Sequence, residues 1–88
     1  MEILKFYANW CGPCKVQDAD FKENPLDIKI TSIDVENNDE LVTQHKVTAL
    51  PTLILLSNEG KELKRWVGRT KVSDIKAFIE LLLNNNVS

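Results

Sequence analysis

The chain has 88 residues, 11 Lys plus Arg against 13 Asp plus Glu for a net charge of −2, 43% hydrophobic residues, two cysteines and one histidine. Folding a chain of this size hides roughly 64% of its extended surface, enough for one small core, so residues 1–84 are expected to form a single domain with 85–88 as a flexible tail. The balanced charge excludes the basic field of a nucleic-acid binder and the composition of a disordered chain, and no apolar run approaches the roughly 18 residues of a membrane span.

Met1 to Tyr7 has no basic n-region, sustained apolar stretch or small-residue cleavage site, so the expected location is cytoplasmic. Thiols stay reduced there, and two cysteines are reactive or metal-binding rather than a structural staple.

Glu2 to Ala8 carries apolar groups at both alternating sets of positions, the pattern of a strand buried on two faces. Pro13 suits a first helical turn, and Cys14, Val16, Ala19 and Phe21 punctuate the polar residues that follow, predicting a helix over Gly12 to Glu23. Asn24-Pro25 stops it, because the residue before a proline is pushed out of the helical region. Ile28, Ile30, Ile33 and Val35 mark a second strand whose apolar parity shifts after Ile30, as a bulge or two-sided burial would produce.

Asn37 reads as the cap of a short helix, with Glu40 three residues on and Leu41, Val42 and His45 forming one face. Thr52 to Leu56 and Glu62 to Val67 form a hairpin across a Ser57-Asn58-Glu59-Gly60 turn. Thr70 can cap a last helix whose Ile75, Phe78, Ile79, Leu82 and Leu83 follow the spacing of a single buried face. The order β-α-β-α-β-β-α, with the first two strands parallel, implies an α/β fold: a four-stranded mixed sheet flanked by helices.

Cys11 falls between a strand and a helix. First-turn amides lack intrahelical partners and, with the helix dipole, favour an anion there, so Cys11 is expected to be the nucleophilic thiolate. Cys14, one turn deeper on the same face, is close enough for a disulfide and is expected to be the resolving thiol. Gly12 lets a substrate chain approach, and Pro13 stiffens the loop. A zinc site is disfavoured because His45 is the only other soft ligand where four ligands are usual. Inert cysteines are disfavoured by the Gly-Pro junction between them.

Trp10-Cys11-Gly12-Pro13-Cys14-Lys15, followed by Ala49-Leu50-Pro51-Thr52 and Trp66-Val67-Gly68, resembles the thioredoxin family over nearly the whole chain. The resemblance implies a minimal, glutaredoxin-sized thioredoxin fold and a protein-disulfide reductase in which Cys11 attacks a substrate disulfide and Cys14 resolves the mixed disulfide. It implies no cofactor beyond the Cys11–Cys14 disulfide, disulfide-containing protein substrates, recharging by a thioredoxin reductase or a glutathione-linked reductant, and a monomer. It further implies a cis bond before Pro51, substrate hydrogen bonds at Leu50, and a contact surface of Trp10, Gly12, Pro13, Leu50, Pro51, Val67 and Gly68. Trp66 takes no role from the likeness; the outward parity of its strand makes it a packing or edge residue.

Three departures stand out. The likeness begins at the strand before the cysteines, Ala19 replaces a kinking proline, and Lys5 stands where the family places a buried acid six residues before Cys11. Lys5 shares a strand face with Ile3 and Tyr7, and Asp18 lies one helical turn after Cys14. A Lys5–Asp18 pair beneath Cys14, relaying the proton of the resolving thiol, is one expectation; a solvated Lys5 and Asp18 is the other.

Lys61, Lys64, Arg65, Arg69 and Lys71 face only Glu62 over positions 61–71, read either as a charged edge strand or as steering toward an acidic partner. The competing functions are a glutathione-dependent glutaredoxin-like enzyme, opposed by Gly12-Pro13, and a non-catalytic binding subunit using the surface around Trp10. Turnover with each reductant separates the first, and survival of function in Cys11→Ser and Cys14→Ser the second.

Overall fold

The computed structural model of the protein describes residues 1–85. The elements are β1 (Glu2–Tyr7), α1 (Gly12–Glu23), β2 (Lys29–Asp34), α2 (Asp39–Gln44), β3 (Thr52–Leu56), β4 (Glu62–Val67) and α3 (Val72–Asn85). The strands form one sheet in the order β2-β1-β3-β4, with β1 parallel to β2 and antiparallel to β3, and β3 antiparallel to β4. This is the mixed α/β sheet expected from the sequence.

Period-two alternation divides the core between the two faces of the sheet. Ile3, Leu53 and Leu55 face α1 and α3, where they meet Phe21, Val72, Ile75 and Ile79. Leu4, Phe6, Ile33 and Ile54 face the other way, against Leu41 and Val42 of α2. The parity shift in β2 is two-sided burial: Ile28 and Ile30 pack on the first cluster and Val35 on the second, with an unbroken register against β1. A bulge occurs instead in the hairpin, where Leu55 pairs with Lys64 but Leu56 with Glu62, leaving Leu63 as the extra residue. Trp66 is a packing residue, edge-on to Phe78 at 5.8 Å on the α3 side of the sheet.

Four details of the sequence reading change. On α1 the buried positions are Cys14, Gln17 and Phe21, whereas Val16 is exposed, because spacings of three and four residues turn Gln17 inward. Asn37 does not cap α2: its side chain donates to Asp34 Oδ2 at 2.9 Å, and Asn38 takes the cap position without a side-chain capping bond, its Nδ2 donating instead to the Asp34 carbonyl at 2.8 Å. Thr70 does not cap α3 either, since its hydroxyl donates to the Gly68 carbonyl and the Val72 amide donates to Asp20 Oδ2 of α1 at 2.9 Å. That bond holds the Asp20 carboxyl below its ordinary pKa against an opposing desolvation, with lesser help from Asn24, Arg69 and Lys71. Finally, α3 includes Asn84 and Asn85; residues 86–88 of the expected tail lie outside the described residues.

The charged strand β4 is an edge, as the first of its two readings requires. Arg65 forks onto Glu62 at 2.9 and 3.0 Å and also donates to the His45 carbonyl at 2.6 Å, tying β4 to the end of α2. The hydrogen-bonded pair lowers the Glu62 pKa and raises that of Arg65. Lys64 lies 5.6 Å from the centre of the Phe78 ring, while Lys61, Arg69 and Lys71 are exposed.

Candidate functional site

The ends of β1 and β2 point to one edge of the sheet, where a parallel α/β arrangement leaves a crevice beside the following loops. After β1 the chain turns through a hydrogen bond donated by the Cys11 amide to the Ala8 carbonyl at 3.1 Å and starts α1 at Gly12. Cys11 therefore occupies the N-cap position, and Pro13, which has no amide hydrogen to lose, sits in the first turn.

Cys11 Sγ accepts the Cys14 amide at 3.1 Å, the bond by which a capping side chain satisfies an orphan first-turn donor. Cys11 and Cys14 are joined as a disulfide, their Cα atoms 5.3 Å apart, within the span one turn of helix supplies. Both are buried, at 4% and 2% exposure, against Ala8 with Tyr7, Val35 and Leu50 alongside. On reduction, the same amide and helix terminus stabilise negative charge on Cys11 Sγ, whereas Cys14 lies inside the turn.

The facing wall is the loop before β3. Leu50-Pro51 is a cis peptide bond, as the resemblance implied. Thr52, buried, donates its hydroxyl to the Ala49 carbonyl at 2.6 Å and closes the loop on itself. The Gly68 amide donates to the Pro51 carbonyl at 2.8 Å, from a φ of +87° that side-chain-bearing residues rarely adopt. Gly12 needs no such freedom: a Cβ there would meet no protein atom, so its surroundings are open.

A groove of about 490 Å³ runs along this wall, lined by Trp10, Cys11, Gly12, Pro13, Val35, Val42, Val47, Thr48, Ala49 and Leu50. It brings together five of the residues singled out from sequence. Pro51 is buried behind it; Val67 and Gly68 do not line it but join its wall through the Gly68–Pro51 bond. Trp10, 71% exposed, is a rim residue and no part of the core. Sequence reasoning missed Val35, Val42 and Val47, which come from the end of β2, α2 and the loop after it. The available signal was the position of Val35 just past a parallel strand, the place where such sheets open a crevice.

Lys5 and Asp18 meet in an ion pair on the α1 side of the sheet. Lys5 is 9% exposed, while half of the Asp18 side chain remains in solvent. The pairing half of the first sequence expectation is met. A buried ammonium is tolerated only against a partner, and no buried side-chain nitrogen or oxygen among the described residues lacks one. Among the described residues, no three His, Cys, Asp or Glu side chains are grouped to hold a metal ion, and no helix is long and apolar enough to cross a membrane.

The family model described as Thioredoxin matches residues 1–81. The thioredoxin of Mycoplasma genitalium is 32% identical over 79 residues, which cover 83% of this chain and 76% of that protein. The thioredoxin of Chlamydia trachomatis is 36% identical over 84 residues, covering 91% and 78%. Among solved structures, thioredoxin 1 of the thermophile Thermosipho africanus superposes with a TM-score of 0.80 at 30% identity, covering 100% of each chain. The reduced thioredoxin pre-protein of Schistosoma mansoni superposes with a TM-score of 0.78 at 30% identity, covering 90% of this chain and 75% of the other.

Proposed function

Because the chain belongs to the thioredoxin family and is a thiol–disulfide oxidoreductase, we propose that it reduces disulfides in other proteins, with Cys11 attacking and Cys14 resolving. The observation that carries the division of labour is the Cys14 amide bonded to Cys11 Sγ at the N-terminus of α1. The Cys11 thiolate attacks one sulfur of the substrate disulfide, and the other sulfur leaves as a thiolate. Cys14 then gives up its proton and attacks Cys11 Sγ, releasing the second substrate thiolate and closing the Cys11–Cys14 disulfide. Two electrons pass from the dithiol to the substrate, and no bound cofactor takes part.

In this reading an extended substrate segment lies in the groove, with Trp10, Gly12, Pro13 and Leu50 against its side chains and the Leu50 backbone bonded to its main chain. Pro51, Val67 and Gly68 shape the adjoining wall. The apolar lining and the open space beside Gly12 support that placement. Lys5 and Asp18 handle the proton of Cys14: Asp18 lies four residues after it on α1, and half of its side chain reaches water. The protein works as a cytoplasmic monomer recharged by a thioredoxin reductase, a reading supported by Gly12-Pro13 between the cysteines, which resembles the thioredoxin motif rather than that of glutaredoxins.

Insulin reduction with either NADPH and thioredoxin reductase or glutathione and its reductase tests the proposal. Turnover several-fold faster with thioredoxin reductase is expected. Turnover with glutathione alone makes the protein glutaredoxin-like, and turnover with neither overturns the reductase reading.

A further inference from the structure

Gln17 is polar, fully buried at 0% exposure and one turn beyond Cys14 on the inward face of α1. Both ends of its amide engage one residue of a distant segment: Nε2 donates to the Thr70 carbonyl at 2.9 Å, and the Thr70 amide donates to Oε1 at 2.8 Å. An aliphatic side chain would fill the same space. What the amide adds is a fixed register between α1 and the backbone at Thr70, since both groups would otherwise be left without these partners.

The connection continues toward the reacting sulfurs from the other side. Thr70 Oγ1 donates to the Gly68 carbonyl at 3.1 Å, and the Gly68 amide donates to the Pro51 carbonyl at 2.8 Å. Gly68 is also the conformationally permissive joint of this segment, with φ at +87°, so its placement depends on anchors on either side. The chain of bonds thus starts on the helix that carries Cys11 and Cys14 and ends on the wall opposite them.

We propose that Gln17 is a positioning residue for substrate binding: through Thr70 and Gly68 it sets where the Pro51 wall stands relative to Cys11. The inference rests on the protein-disulfide reductase reading and adds to it the residue that holds the two halves of the substrate site in register. It predicts a defect for substrates that must span both halves and little for a disulfide small enough to react at Cys11 alone.

The test compares Gln17→Met, which keeps the volume and removes both bonds, with Thr70→Ala, which keeps the buried amide bonds and cuts only the link to Gly68. In insulin reduction KM is expected to rise about tenfold in Gln17→Met and about threefold in Thr70→Ala, with kcat changed by less than about twofold. The rate constant with a small aromatic disulfide is expected to fall by less than about twofold in both. Equal losses toward insulin and the small disulfide, or an unchanged KM in either variant, overturn the inference. Should Gln17→Met not fold, the KM of Thr70→Ala decides it. A wild-type protein that does not turn over insulin overturns the reductase reading, and this inference with it.

Discussion

Cys11 and Cys14 are chemically identical side chains on one helix, and their difference is three residues of position. Cys11 caps the helix and receives an amide hydrogen; Cys14 is within the turn and 2% exposed. In the proposed mechanism charge is favoured on the first, and the second reacts only once its proton has somewhere to go. The proposed route is the Lys5–Asp18 pair, a buried cation held by a carboxylate that reaches water. Asp18→Asn removes that carboxylate while keeping its shape, so resolution of the mixed disulfide is expected to slow about tenfold and its formation by less than about twofold. Rapid-quench kinetics of a single turnover separate the two steps; equal slowing of both, or of neither, removes Asp18 from the proton route.

At the scale of elements, α1 is the hub, since its residues reach both the sulfurs and the start of α3. Asp20 replaces a local cap for α3, and its carboxyl titrates below the ordinary aspartate range because the Val72 amide bonds the charged form. A depressed native pKa stabilises the fold above the unfolded-state value near pH 4 and loses that contribution as pH falls through the native value. Asp20→Ala is therefore expected to lower Tm by on the order of 5 °C at neutral pH, with the gap to wild type closing below about pH 4. Thermal denaturation across pH checks this, and a gap of the same size at pH 2 rules out the carboxylate as its source.

The same contact shows where sequence reading stops at this scale. The limits of α1 were legible because Pro13 suits its first turn and Asn24-Pro25 closes it, both local signals. The cap of α3 was not, because its acceptor lies 52 residues away in the sequence. Asn37 looked like a cap by residue type, but Asp34 is close enough to take its side chain. Nothing in the sequence singles out Gln17 from the other polar residues of α1, and only the loop at Thr70 gives it a reason to face inward.

For the whole molecule, the two-faced core followed from a first strand apolar on both alternations, which has to be covered on both sides, whereas the order β2-β1-β3-β4 comes from the structure. The cysteine pair was legible as chemistry, since spacing and junction residues are adjacent in the chain. The groove was not, because Val35, Val42 and Val47 reach it from three separate segments and each alone reads as core. What the assembled molecule adds is asymmetry: one sulfur at the mouth of an apolar groove beside an exposed Trp10, the other beneath it. Covalent trapping on insulin tests that asymmetry most directly. Reduced Cys14→Ser is expected to accumulate a mixed disulfide with an insulin chain through Cys11, seen by mass spectrometry and reversed by dithiothreitol, while Cys11→Ser accumulates none. Adducts of equal yield in the two variants, or an adduct only through Cys14, would contradict the assignment of Cys11 as the attacking thiol.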